Sequence, residues 1–420
     1  MESKDKLNRF IRDQRSEAKV SDLPLKDLRI IDMATVLAAP FAATLMGDFG
    51  AEVIKVEPPE TPDAIRRWGV LESGIQPFWA VFGRNKLPVT IDLKSPDGKE
   101  IFFRLIEKSD VLIENMRPGT MERLGFDMEK LLEVNPGLVI GRVSGYGQTG
   151  PYASKPGFGT LAEGLSGFTY LNAQPGGIPT NAPLALADFI TGMHLAFAIM
   201  LALRGQERGE KGGGVIDISL YEPLFGLFGS EFLSYTLSGE VPQPQGSELS
   251  YVVPRNNYMT RDGRWVTLSG AAQKPFERLM EIVGHPEMKD DPRYRINEER
   301  IKEENRRVIN QVISDWIGGK NLKEIVEICG RSGITAGPVA NMEDIFKDVH
   351  YQARKSWIEI EDPVTRTPLK MPNVSFGLLN TPGRIRFPGL PLSSANEVVF
   401  QDLLEFSVEE IKRFRGEGTI

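Results

Sequence analysis

The sequence predicts a mixed fold, a doubly wound α/β domain with a parallel sheet, accompanied by a smaller α+β domain. Two observations carry this. Across the first half, short β-branched segments alternate with helical ones, the pattern of strands joined by crossover helices. Beyond about residue 237 the composition turns rich in Pro, Gly and Ser, and a hairpin signal comes next.

Element by element, residues 1–22 are charged throughout and read as a polar helical extension. LRIIDM (28–33) is a buried strand, APFAATLMGDFG (39–50) a helix closed by glycine, and AEVIKVE (51–57) a second strand. IFFRLIEKSD (101–110) is helical, VLIEN (111–115) a strand, and LLEVNPGLVIGRVSGYG (131–147) runs from helix end through turn to strand. RGQERGEKGGG (204–214) is a glycine-rich turn before the strand VIDISL (215–220). This alternation predicts a Rossmann-like sheet over 23–225, which binds ligands at the carboxyl ends of its strands.

Residues 226–254 read as a linker, ending in LSGEVPQPQGSELSYVVP (237–254). The small domain is expected over 255–345. It opens on the hairpin YMTRDGRWVTLSG (258–270), whose turn is Asp-Gly, and continues through helices such as KPFERLMEIVG and ENRRVINQVISDWIGG. Residues 346–420 are expected to return to the large domain. Their tail alternates short strands and turns, as in MPNVSFGLL and TPGRIRF, and ends in the amphipathic helix SVEEIKRFRGEG.

Composition excludes several classes of function. A net charge of −7 argues against a general nucleic-acid binder. The single cysteine, Cys329, excludes an intrachain disulfide framework and a cysteine-based zinc site. His194, His285 and His350 are too scattered in sequence for a metal cluster, so no metal is expected. The charged start is unlike a signal or transit peptide, and the apolar run Met193–Leu203 is short for a membrane span. A cytoplasmic protein without nucleic-acid or membrane partners is expected. After the first strand the chain reads DMATVLAAP, without the G-x-G-x-x-G of a dinucleotide loop, and no P-loop occurs.

The most apolar stretch, PLALADFITGMHLAFAIMLAL (183–203), carries one acid, Asp188, near its start. From Asp188 onward the chain reads as a buried helix, apolar or small on every face up to Arg204. Asp188 there suits a helix cap stabilised by the dipole, and equally a carboxylate nucleophile at the edge of an apolar pocket.

Taken in chain order, the motifs favour the nucleophile and leave the cap open beside it. They are LKDLRIIDM, AAPFAATLMGDFGAEVIKVEPP, RNKLPVTIDLKSPDGKE, DVLIENMRPGTMERLGF, NPGLVIGRVSGYGQTGPYASKPGFG, LADFITGMH, YMTRDGRWVTLSG, ITAGPVANMEDIFKDVHYQAR, TPGRIR and the terminal GTI. The chain resembles the class III CoA-transferase family, that of formyl-CoA transferase and carnitine CoA-transferase, from about Leu23 to Ile420. The resemblance implies an interlocked homodimer, with the linkers around 225–255 and 340–370 serving the threading. It implies CoA transfer from an acyl-CoA thioester to a free carboxylic acid through a covalent aspartyl intermediate. The family's active-site Asp falls on Asp188. Coenzyme A is then a substrate, and no tightly bound cofactor is implied.

By the same matching, CoA is expected against Val36, Arg84, Lys86, Asn115, Met116, Arg123 and Tyr146, with Arg66 and Arg67 as further candidates. Arginine and lysine answer phosphate charge, and Met116 offers adenine an apolar face. The glycines of Ser144-Gly145-Tyr146-Gly147 and Gly157-Phe158-Gly159 suit close backbone approach and oxyanion donation. For the acid, oxalate-specific members carry a glutamine where this chain has Leu37. An apolar lining from Leu37, Phe82, Phe158 and Tyr170 suits a bulkier acid than oxalate, and Arg255 suits a second carboxylate. Many members have a glycine-rich loop over the site. Here the matching stretch YVVPRNNYM (251–259) has no glycine run.

Two alternatives remain at this point. Acyl-CoA racemases share the fold but pair the Asp with a histidine, because moving an α-proton needs two bases. Phe158 holds that position here. A non-catalytic subunit of a heteromeric CoA-transferase is the other.

Overall fold

Ile30 and Ile31 are neighbours in strand β1 (Arg29–Asp32), both fully buried, and they enter different cores. A strand apolar on both faces is one covered on both faces, which is what crossover helices do to a parallel sheet. The computed structural model describes residues 2–20, 22–209 and 214–420, without the side chains of residues 2, 3, 19 and 20. The turn expected before the sixth strand falls partly on 210–213, outside the described residues.

Strand β1 is joined by β2 (Glu52–Glu57), β3 (Lys86–Thr90), β4 (Val111–Glu114), β5 (Val139–Ser144) and β6 (Val215–Ser219). Their order is β3-β2-β1-β4-β5-β6, every pair parallel. Ile30 stands beside Val53 and Val111, so one layer of aliphatic side chains runs across the sheet.

The helices of this part that the site depends on are α1 (Glu2–Val20), α2 (Ala38–Asp48), α3 (Pro96–Glu107), α4 (Gly159–Leu165) and α5 (Leu186–Glu207). Ile11 of α1, Ile101 and Phe102 of α3, and Val399 and Ile411 of two returning C-terminal helices (Asn396–Asp402 and Val408–Gly416) cover one face. Ala39 and Ala42 of α2, and Leu195 and Ile199 of α5, cover the other.

Strand β3 is not evident in the sequence, where KLPVT contains a proline. It lies at the sheet's edge, where a missing N–H breaks no ladder bond. The Pro88 carbonyl still accepts a hydrogen bond from the Ala395 N–H at 3.0 Å.

The tail differs from expectation. Its two strands, Trp357–Glu361 and Pro368–Pro372, pair antiparallel, whereas 373–387 contains no strand. That stretch takes irregular paths, with Asn373 tied to Lys355, and Arg384 and Arg386 tied to Asp48 and Asn85 beside the large sheet.

Helix α5 corrects another expectation: at 22 residues it is long and apolar enough to cross a membrane by length and composition. In this fold Ala187, Ile190, Leu195 and Ile199 are instead buried against the sheet, and a core helix passes the same test.

The chain divides into two units. The first holds Met1–Phe168, Asn181–Ser234 and Ala353–Ile420; the second holds Thr169–Thr180 and Tyr235–Gln352. The second unit has its own core and an antiparallel sheet of β7 (Arg255–Met259), β8 (Trp265–Ser269) and β9 (Thr335–Pro338). Its first hairpin turns at Asp262-Gly263, with Gly263 at φ +72° as such a turn requires. Helices Gln273–Val283, Glu303–Gly318 and Leu322–Arg331 pack on it.

Candidate active site

A doubly wound sheet leaves a crevice where the strand order reverses, here between the carboxyl ends of β1 and β4. A cavity of about 190 Å³ occupies that place. Thr35 and Val36 after β1, Asn115 to Pro118 after β4, and Ser144 and Gly145 at the end of β5 form its walls. Gly157, Phe158 and Asp188 complete it.

Asp188 stands in the first turn of α5, three residues after the N-cap Ala185, and no side chain of its own helix caps that end. The backbone N–H groups of Asp188 and of Ala38, the first residue of α2, favour the charged form of its carboxylate. Two helix N-termini thus meet on one anion. Gly192 permits this closeness, since a β-carbon there would fall 2.5 Å from the Ala38 carbonyl oxygen.

The expected cap is supplied by another residue. Buried Glu163, on α4, accepts hydrogen bonds from Leu186 at 3.1 Å and Ala182 at 3.2 Å, so it satisfies the start of α5 from outside. No spacing rule reveals it, because it belongs to a different helix.

Burial raises the pKa of Asp188 from its ordinary 3.8 to about 6. The negative charge of Glu163 adds to the rise, and the two backbone N–H groups oppose it. The result is a carboxylate still ionised at neutral pH but more basic than an ordinary one, which suits a nucleophile.

Glycine shapes the space around it. A β-carbon on Gly145 would lie 2.7 Å from the α-carbon of Gly157, so the two loops cross backbone to backbone. Gly159 touches the Asp188 carboxylate itself.

The structure brings Val36, Asn115, Met116, Phe158 and Asp188 of the expected residues to one cavity. Asn115 uses its amide to tie two loops together, accepting from the Thr35 N–H at 2.8 Å and donating to the Thr35 carbonyl at 2.7 Å. Tyr146 adjoins Gly145 and packs edge-on against Tyr152. Exposed Arg123 donates to Thr120, and Arg67 is exposed.

Arg84 and Lys86 require correction, since neither is open to a phosphate. Arg84 is buried and clamps Asp48 at 2.6 Å, with a further bond to the Val81 carbonyl. Lys86 is 1% exposed and bonds Asp32 and the Pro40 carbonyl, each at 2.7 Å. Arg66 is likewise committed, to Glu57 at 2.6 Å and to the face of Trp79.

Lys86 has a supporting part instead. Asp32 is shared with Lys55, which reaches Asp63 at 3.2 Å, and Asp63 accepts the Val36 N–H at 3.0 Å. This buried network holds Val36 at φ +68°, a strained conformation for a β-branched residue, and so shapes the loop that enters α2.

Leu37 is also corrected. At 2% exposure it packs with Ile65, Trp79, Phe82 and Phe189 rather than facing the cavity. Tyr170 and Arg255 belong to the second unit, where Arg255 donates to the Ser247 carbonyl.

Two cavity residues carry no sequence signal for this role. Arg117 and Lys155 are exposed cations on its wall. Ser144 is buried, and its hydroxyl has no partner among the described residues.

The profile of CoA-transferase family III matches residues 25–396. The chain belongs to this family. It is 37% identical to the succinyl-CoA–L-malate CoA-transferase beta subunit of Chloroflexus aurantiacus, over 96% of this chain and 100% of that protein. It is 35% identical to the succinyl-CoA–D-citramalate CoA-transferase of the same organism, over 94% and 98%. Among solved structures, a CaiB/BaiF family protein from Brucella suis superimposes with a TM-score of 0.77 at 27% identity, over 90% of this chain and 99% of that one. The fold is that of the class III CoA-transferases, and the protein is a CoA-transferase using CoA thioesters.

Proposed function

We propose that this CoA-transferase moves CoA from a succinyl-CoA-type thioester to a dicarboxylic acid larger than oxalate, through a covalent intermediate on Asp188. The carrying observation is the placement of the Asp188 carboxylate, with its pKa near 6, on the wall of the strand-end cavity.

The chemistry runs in balanced halves. The Asp188 carboxylate attacks the thioester carbonyl, a C–O bond forms, the C–S bond breaks, and CoA thiolate leaves. The thiolate then attacks the aspartyl carbonyl of the mixed anhydride and expels the donor acid as its carboxylate, leaving an aspartyl-CoA thioester. The acceptor carboxylate attacks that thioester and frees the thiolate. The thiolate takes the acyl group from the second anhydride, and Asp188 returns as a carboxylate. Each tetrahedral step needs a donor for its oxyanion, and the free hydroxyl of Ser144 is one within the cavity. Arg117 and Lys155 suit the distal carboxylate of a dicarboxylic acid, and Phe158, 70% exposed, offers an apolar surface beside them.

Racemisation is the poorer reading. Phe158 lines the cavity at the position where racemases resembling this chain carry a histidine, and no histidine lines that cavity among the described residues. His194 lies outside that lining, with its Nδ1 against the Ile190 carbonyl.

We further infer a cytoplasmic, interlocked homodimer. Supporting it, α5 leaves Met193, Phe197, Met200 and Leu201 exposed along one stripe, an apolar face that a second copy would cover.

Incubation with succinyl-CoA, trapping with hydroxylamine or borohydride, and peptide mass spectrometry test the intermediate. A modified Asp188, absent from Asp188→Ala, is expected. Turnover without modification, or turnover retained by Asp188→Ala, overturns it.

A further inference from the structure

At the amino ends of the strands, the edge opposite Asp188, lies a larger cavity of about 320 Å³. Arg29 opens β1, Glu52 opens β2, and the returning segment brings Arg386; α1 closes the space with Gln14, Arg15 and Ala18. That α1 wall precedes residue 25, where the family profile begins.

The charges in this cavity do not balance. Glu52 spends one oxygen on Arg15 and the other on Arg29, each at 2.5 Å. Arg15 is nearly buried, its side chain 9% exposed. Arg386 has no carboxylate partner among the described residues: its Nε is buried without an acceptor, and Nη1 reaches only the Gln14 carbonyl at 3.4 Å. Asp48, whose carbonyl holds the nearby Arg384 N–H, has its carboxylate committed to Arg84. Lys26 adds a cation at the wall and Asp27 an anion, which leaves an excess of two positive charges among the lining side chains. Exposed Glu17 is the further acid that acts on Arg386.

A guanidinium stays charged, and one whose Nε is buried without an acceptor among the described residues is costly. An acceptor-rich anion would satisfy it. Ala18, Leu28 and Phe387 supply an apolar floor, and the volume exceeds that of a single ion.

We propose that this cavity is a second binding site, for a compact dianion such as a small dicarboxylate or a phosphate, held by Arg386 and by the remaining Nη groups of Arg15 and Arg29, whose Nε atoms stay on Glu52 while one Nη of Arg29 stays on the Lys108 carbonyl. It is separate from the strand-end cavity, and does not depend on the role of Asp188. The site stands at the amino end of β1, with the loop that carries Val36 at the other end, and so reports on α1 rather than on the reacting atoms.

Hydrogen–deuterium exchange of the full chain at constant ionic strength locates such binding, with inorganic phosphate and succinate as separate probes and chloride as control. Slowed exchange is expected in peptides covering 14–18 and 384–387, and the probe that produces it tells phosphate from dicarboxylate. Titration calorimetry on Asp188→Ala protein is expected to show saturable binding, weakened at least tenfold by Arg386→Met. Should Arg386→Met fail to fold, Arg29→Met serves the same comparison, and the exchange result stands on the unsubstituted chain. Protection confined to 143–158, no protection with either probe, or affinity untouched by both substitutions overturns the proposal.

Discussion

The α-carbon of Gly159 is packed directly against the carboxylate of Asp188. A β-carbon at 159 would sit 1.8 Å from Oδ2 and 2.8 Å from Cγ, distances no pair of atoms tolerates. Because α5 is anchored at Gly192 and in the sheet core, its backbone cannot retreat, and the carboxylate itself must swing away. The glycine thus sets where the carboxylate stands.

Gly159→Ala is therefore expected to be a functional lesion more than a structural one. Overpacking costs about 1–3 kcal/mol. Displacing a reacting group by an ångström costs about 100-fold in rate. Steady-state kinetics beside a denaturant melt checks this; a variant of normal kcat would mean that Asp188 relocates freely.

Asp188→Asn is expected to trade activity for stability. The folded chain holds this proton up to about pH 6 and the unfolded chain only to about 3.8, so ionising Asp188 weakens the fold. The native state is favoured most below the lower value and loses that advantage as pH rises through 6. Two pKa units set a ceiling of about 3 kcal/mol, and partial solvent contact brings the expectation to about 1–2 kcal/mol. The variant should melt higher than the parent above pH 7, with the gap closing below pH 4. In the parent, formation of the aspartyl adduct should rise with pH through about 6 and then level. A gap that widens in acid would reverse the assigned sign.

Glu163→Gln separates capping from electrostatics. Glutamine keeps one acceptor for the start of α5 and removes the charge facing Asp188. Loss of one cap bond costs about 1 kcal/mol. With the charge gone, the acid limb of the rate profile moves to lower pH. A limb that stays in place while stability falls would reduce Glu163 to a cap.

How much of this was legible depends on the physics of each signal. Strands such as VLIEN announce themselves by composition, and the motif order carried Asp188 to its place at a strand-end crevice. Strand β3 was hidden because Pro88 reads as a breaker unless the strand's edge position is known. Glu163 was hidden because a cap supplied by another helix has no sequence period. Arg84 and Lys86 show the reverse failure. A motif match conveys that a cation is required at a position, but not whether it faces a ligand or a buried acid such as Asp48 or Asp32.

Lys86→Met turns that last distinction into a measurement. Methionine fills the volume but leaves Asp32, among the described residues, with only Lys55, at 3.6 Å, as a cationic partner. Breaking one side of a buried pair costs about 3–5 kcal/mol, because the remaining charge is stranded away from water. The expected signature is a large fall in melting temperature, with the KM for acyl-CoA little changed in the protein that stays folded. A lysine gripping CoA phosphates would show the opposite, a raised KM at nearly unchanged stability. Asp32→Asn in the Lys86→Met background should recover part of the loss, since it removes the stranded charge; failure to recover would place the cost in packing around residue 86 instead.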